Sequence, residues 1–145
     1  MSPGANPPPP RILVVDDEPQ FREVITYSLA GQYQVQTREN AEAALELLKQ
    51  EDFLLVITDY MMPGMNGLEL LDHVRQLPGF TAGLLVTAHM EVLAKPEWLE
   101  GRASILFKPF TRDALNSAVQ QMIGLAQMRR RIRSGLPASP TSRQR

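Results

Sequence analysis

Along the 145-residue chain, stretches of continuous or alternating apolar residues give way repeatedly to stretches with apolar residues every three or four positions. Five short segments have the first character: residues 12–15 (ILVV), 33–37 (YQVQT), 53–58 (FLLVIT), 84–87 (LLVT) and 104–107 (SILF). Three of them are nearly unbroken apolar runs, which is how strands covered on both faces read. Such strands predict a parallel sheet between two helical layers.

The intervening segments have helical period. Phe21, Val24, Ile25 and Leu29 form one stripe. Ala41, Ala44, Leu45 and Leu48 form a second, with Asn40 placed to cap it, and Leu68, Leu71 and Val74, continued by Arg75, form a third that ends at Leu77-Pro78. Residues 90–100 predict a weaker fourth helix, because Pro96 interrupts it. A fifth starts at Thr111 as N-cap, with Asp113 near the positive end of its dipole, and buries Leu115, Val119, Met122, Ile123 and Ala126. The alternation predicts an α/β fold of (βα)5 type: a doubly wound, five-stranded parallel sheet with right-handed crossovers and the common flavodoxin-like strand order 2-1-3-4-5.

The length suits one domain with its own core. A composition of 43% hydrophobic and 21% charged residues is that of an ordinary globular protein, and no apolar run approaches the roughly 18 residues of a membrane span. With no cysteine there is no disulfide framework or thiolate metal site, and the N-terminus lacks a signal-peptide pattern, so the cytoplasm is the expected compartment. Residues 1–10, MSPGANPPPP, predict an extended arm, and residues 11–128 the folded domain. Charge divides the chain further. Residues 1–128 hold all 16 acidic residues and 9 of the 15 basic ones, whereas Arg129, Arg130, Arg131, Arg133, Arg143 and Arg145 make residues 129–145 purely basic. That end is read first as a solvated tail or linker, with binding of nucleic acid or an acidic partner as the alternative.

Ligands of an open parallel sheet bind beyond the carboxyl ends of its strands, where the strand order reverses. The predicted strands end in Asp16-Asp17-Glu18, Asp59, Thr87 and Lys108-Pro109. Three carboxylates gathered without a cation repel one another, so Asp16, Asp17 and Asp59 ask for a metal; hard oxygen donors favour Mg2+, with Mn2+ as a substitute. With the metal held, an oxygen of Asp59 can attack a phosphoryl group, while the Lys108 ammonium and the Thr87 hydroxyl neutralise and bind the transferred oxygens. Each residue alone has a bland reading, as a turn, a strand end or a surface loop. Their joint appearance on one sheet edge is what points to phosphoryl chemistry.

The segments ILVVDDEP, VITDYMMPGMNGLELL, LLVTAH and LFKPF resemble the signature of the receiver domain of two-component response regulators, in matching order and spacing, over about residues 11–127. The resemblance implies Asp59 as phosphoacceptor and Asp17 as a direct Mg2+ ligand. It further implies Asp16 acting largely through water, the Met61 carbonyl as a further ligand, Thr87 and Lys108 on the phosphate, and a cis peptide before Pro109. It implies a sensor histidine kinase or histidine phosphotransfer protein as partner, a switch in protein contacts that includes homodimerisation, and no membrane or nucleic-acid contact through this domain. Such a domain is not an enzyme acting on other substrates, although it catalyses its own phosphorylation and dephosphorylation. Met61 and His89 sit where the family adjusts the lifetime of the acyl phosphate.

Two positions depart from the family pattern. Ile105 stands where an aromatic residue usually reports phosphorylation, and Pro96 interrupts the helix of the usual signalling face. Phe107 should point to the opposite face from Lys108, into the core. No second core follows the fifth helix, so the chain reads as a stand-alone receiver or a piece of a longer regulator. Three rivals remain. A flavin or nucleotide carrier needs a phosphate-cradling loop where Asp16-Asp17-Glu18 would repel phosphate. A metal-dependent phosphatase or nuclease would turn over a generic phosphoester, and a phosphate-independent binding module would not need the complete acidic, threonine and lysine set.

Overall fold

A computed structural model describes residues 7–91, 102–133 and 135. The strands are β1 (Arg11–Val15), β2 (Gln34–Arg38), β3 (Leu55–Asp59), β4 (Ala82–Thr87) and β5 (Ala103–Phe107); the helices are α1 (Pro19–Leu29), α2 (Ala41–Gln50), α3 (Gly67–Arg75) and α4 (Arg112–Arg133). All strand pairings are parallel, in the order β2-β1-β3-β4-β5, as the sequence pattern predicts. The helix expected over residues 90–100, with Pro96, lies outside the described residues apart from Met90 and Glu91. The predicted fifth helix is therefore α4.

Alternation along the strands sorts the core into two layers. Ile12, Val14, Leu55, Ile57, Leu84 and Val86 face a layer formed with Ile25 and Leu29 of α1 and Leu115, Val119, Met122, Ile123 and Ala126 of α4. Leu13, Val15, Val56 and Leu85 face the other layer, with Ala41, Ala44, Leu47 and Leu48 of α2 and Leu68, Leu70, Leu71 and Val74 of α3. Ile105 and Phe107 pack together against this second layer, Phe107 as a partly buried neighbour and not a fully buried one. With both faces of the sheet covered, the strand ends are left for polar chemistry.

Local signals set the helix starts. The Asn40 carboxamide oxygen accepts from Ala43 N–H at 2.7 Å, and the Thr111 hydroxyl accepts from Ala114 N–H at 3.0 Å. Helix α3 begins in a capping box that the sequence reading overlooked. Asn66 accepts from Glu69 N–H while Glu69 accepts from Asn66 N–H, both at 2.9 Å; the Asn-x-x-Glu spacing was the available signal.

Arg129, Arg130, Arg131 and Arg133, grouped with the tail above, continue α4 together with Ile132. Arg130 explains why the helix stays on the body. Its guanidinium bonds both carboxylate oxygens of Asp52, at 2.5 and 2.8 Å, and donates to the carbonyls of Phe53 at 2.9 Å and Phe80 at 2.7 Å. The same contact holds the Asp52 carboxyl below its ordinary range. Replacing Arg130 by alanine should cost about 1–2 kcal/mol, the scale of charge-assisted hydrogen bonds at a partly exposed site. Arg130→Lys should recover only part of it, because an ammonium cannot fork between carboxylate and carbonyls. Urea denaturation of the three proteins measures both differences.

Candidate phosphoryl-transfer site

The strand register assembles the site. Val15 of β1 lies beside Thr58 of β3, so Asp16 and Asp59 leave the sheet next to each other. Val86 pairs with Asp59, and Phe107 with Thr87, which brings Thr87 and Lys108 to the same edge. Asp16, Asp17 and Asp59 each offer a carboxylate oxygen within 4.8 Å of the others. Lys108 places its ammonium 3.7 Å from Asp59 Oδ1. Asp16 is buried, Asp59 half-buried and Asp17 exposed.

Each group is held by its surroundings. The Asp16 carboxylate accepts from Glu18 N–H at 2.9 Å, and its backbone carbonyl accepts from the Arg22 guanidinium at 2.6 Å. Asp59 Oδ1 accepts from Tyr60 N–H at 2.8 Å. Thr87 is fully buried and its hydroxyl oxygen accepts from His89 N–H at 3.0 Å, an interaction that does not use the hydroxyl's own hydrogen. Lys108 N–H donates to Thr87 carbonyl at 2.9 Å, and the Lys108-Pro109 peptide is cis.

The loop after Asp59 returns at once to the sheet. Gly67 N–H bonds Tyr60 carbonyl at 2.8 Å, and a Cβ on Gly67 would stand 2.0 Å from the Asp59 carbonyl oxygen, so only glycine permits this approach. Glu42 of α2 accepts from Met65 N–H at 3.1 Å and steadies the turn from outside. Met61 lies on this loop with half of its surface exposed. His89 meets Tyr60 edge-on, ring centroids 5.8 Å apart, and its Nδ1 is 3.2 Å from Glu91. Arg22, Glu42 and the Phe21 ring beneath Lys108 were not among the predicted site residues; none has a motif of its own.

Burial pushes the Asp16 carboxyl up to about 6, against the pull of the Glu18 N–H, and the neighbouring Asp59 carboxylate adds to the rise. Burial likewise raises Asp59, opposed by the Lys108 ammonium and the Tyr60 N–H. Two desolvated carboxylates beside a third, with one ammonium at hand, form a site that gains from a further cation. All donors are hard oxygens, so the set fits Mg2+. A cleft of about 910 Å3 between α1 and β2 contains none of these carboxylates. The chemistry sits on the open strand edge.

Because the folded chain binds the Asp16 proton more tightly than an unfolded chain does, the stability it contributes is full below about pH 4 and is lost as pH rises through 6. Asp59 shifts in the same direction, and Asp52, held low by Arg130, titrates below this window. The metal-free protein should therefore become more resistant to urea as pH falls from about 7 to 5. Asp16→Asn should flatten that slope and raise stability at neutral pH, and millimolar Mg2+ should flatten it in the unmutated protein. Urea midpoints across this range check all three.

Among known families, the response regulator receiver domain matches residues 12–120. The chain is 35% identical over 134 residues to regulatory protein AtoC of Escherichia coli, covering 91% of this chain and 29% of that protein. It is 38% identical over 107 residues to response regulator protein FleR of Pseudomonas aeruginosa, covering 72% of this chain and 23% of that one. It thus spans about a quarter of the length of these relatives. A crystal structure of response regulator protein TrrA from Thermotoga maritima in complex with Mg2+ and BeF superposes with a TM-score of 0.70 at 33% identity, over 78% of this chain and 98% of that one.

Proposed function

This chain belongs to the response regulator receiver domain family, and we propose that Asp59 is the residue on which it accepts a phosphoryl group. The observation that carries the assignment is the meeting of Asp59 with two further carboxylates and the Lys108 ammonium on one strand edge. That a relative was solved in complex with Mg2+ and BeF supports a metal and a phosphoryl-like group as ligands of this chain.

Asp16, Asp17 and Asp59, with the Met61 carbonyl, would hold Mg2+. When bound, the ion neutralises carboxylate and phosphoryl charge that would otherwise repel. An Asp59 carboxylate oxygen forms the new bond to phosphorus as the bond to the donor breaks, and the donor leaves with that electron pair. Lys108 reaches the transferred oxygens from the side it already shares with Asp59, and Thr87 donates its hydroxyl hydrogen to one of them. Thr87 and Lys108 are joined through backbone as well, so each fixes where the other points. The domain assists its own phosphorylation and works as an acceptor, not as an enzyme on external substrates.

The donor is a phosphohistidine on a sensor kinase or a phosphotransfer protein, and the output is a change in protein contacts in the cytoplasm, homodimerisation among them. Ile105, partly buried against the second core layer, carries no aromatic ring, so an aromatic switch at that position is not the route of the output. Among the described residues no helix is long and apolar enough to cross a membrane.

Incubation with Mg2+ and acetyl phosphate should add the mass of one phosphoryl group. Asp59→Asn should abolish the addition, and Lys108→Ala should slow it by about tenfold or more, the scale lost with a charge-assisted contact. Intact mass spectrometry reads both; label persisting in Asp59→Asn would sink the assignment. A generic phosphoester left unhydrolysed under the same conditions would separate the acceptor from a metal-dependent phosphatase.

A further inference from the structure

The Lys108 ammonium is 3.7 Å from Asp59 Oδ1, longer than the roughly 2.7–3.2 Å of a well-formed hydrogen bond. Lysine is a compact charge on a flexible four-carbon stem, so this spacing alone would leave it free to swing into water. What it rests on is a ring. Its nitrogen stands 3.8 Å from the centroid of Phe21, over the face of the aromatic system.

The ring is itself held. Phe21 lies in the first turn of α1, which starts directly after Asp16-Asp17-Glu18, and packs against the core layer shared by α1 and α4. Phe110 supports it from the other side of the Lys108-Pro109 step, with centroids 5.9 Å apart and planes tilted by 30°. Phe110 is also partly buried against the same layer. An aromatic residue from the β5–α4 connection thus supports the α1 ring on which the ammonium rests. The negative face of an aromatic ring attracts a cation and engages its N–H groups only weakly, so the ammonium keeps donors for oxygen acceptors.

Resting on the reading of Asp59 as phosphoacceptor, we propose that Phe21 is a positioning residue for phosphoryl transfer: its ring face holds the Lys108 ammonium beside Asp59, ready for the incoming phosphoryl oxygens. A purely packing role for Phe21 is the competing account, and leucine distinguishes the two. Leucine keeps the apolar contact with the core and removes the ring quadrupole; tyrosine keeps the ring.

The rate of phosphorylation by acetyl phosphate at saturating Mg2+ is measured for the unmutated protein, Phe21→Leu, Phe21→Tyr, Lys108→Ala and the double variant Phe21→Leu/Lys108→Ala. Phe21→Leu should slow uptake about three- to tenfold, within the range of an ammonium–ring contact. Phe21→Tyr should stay within about twofold of the unmutated rate. In the Lys108→Ala background the Phe21→Leu change should have less than about a twofold effect, because the group it acts through is gone. Independently of activity, the Lys108 methylene protons next to the ammonium should show an upfield ring-current shift in proton NMR that Phe21→Leu removes. Equal slowing with and without Lys108, an unmutated rate for Phe21→Leu, or no ring-current shift would each overturn the proposal. A failure of the underlying reading shows separately, as no phosphoryl uptake at Asp59 by the unmutated protein, and overturns both.

Discussion

The parallel pairing of β1 with β3 is the interaction on which the rest of the site depends. Val15 sits beside Thr58, and each strand ends one residue later in a carboxylate, so two acids that are 43 positions apart in the chain emerge side by side. A slip of one residue in that register would turn every core side chain to the wrong face, exchanging Leu13 and Val15 with Ile12 and Val14. Hydrophobic burial therefore enforces the meeting of Asp16 and Asp59 even though their charges oppose it. The β3–β4 and β4–β5 registers extend the same logic to Thr87 and Lys108.

Such a site works against the fold that builds it. Desolvation raises both Asp16 and Asp59, which means that at neutral pH the ionised cluster is a stability cost to the metal-free chain. The architecture compensates with core packing and with fixed partners: backbone N–H groups on Asp16 and Asp59, the Arg22 guanidinium on the Asp16 carbonyl, and an ammonium poised over Phe21. A cation bound among the carboxylates relieves the remaining repulsion. The affinity for metal and the readiness for a phosphoryl group then share one origin, an excess of buried negative charge.

At the opposite end of the sheet the charges are arranged differently. Arg130 satisfies a carboxylate and two carbonyls together, and Arg11 pairs with Glu51 while its guanidinium lies over Phe53 at 4.3 Å. Arg102 covers the Phe80 ring at the same distance of 4.3 Å. Arg11 and Arg102 cover rings near the N-terminal ends of the strands, and Arg130 fastens the last turns of α4 to the body. The reactive end is left with unbalanced charge and the structural end is paired off, which confines the instability to the edge where chemistry happens.

Much of this was legible in the chain itself. Unbroken apolar runs such as ILVV require burial on both faces, and alternation with helical stripes restricts the topology to a doubly wound sheet; Asp16, Asp17, Asp59, Thr87 and Lys108 then follow as strand-terminal residues on one edge. The Asn40 and Thr111 caps were equally readable, since capping is a local property of a few consecutive residues. What fastens the end of α4 was not: only the distant Asp52, Phe53 and Phe80 give Arg130 a reason to stay. Phe21 reads in sequence as one more member of an apolar stripe. Its place under Lys108, 87 positions away in the chain, depends on α1 and the residues that follow β5 meeting across the fold. Periodicity and strand-end chemistry are written along the chain and so belong to the sequence; the company a side chain keeps across the fold exists only once the layers have packed, and that the tertiary structure decided.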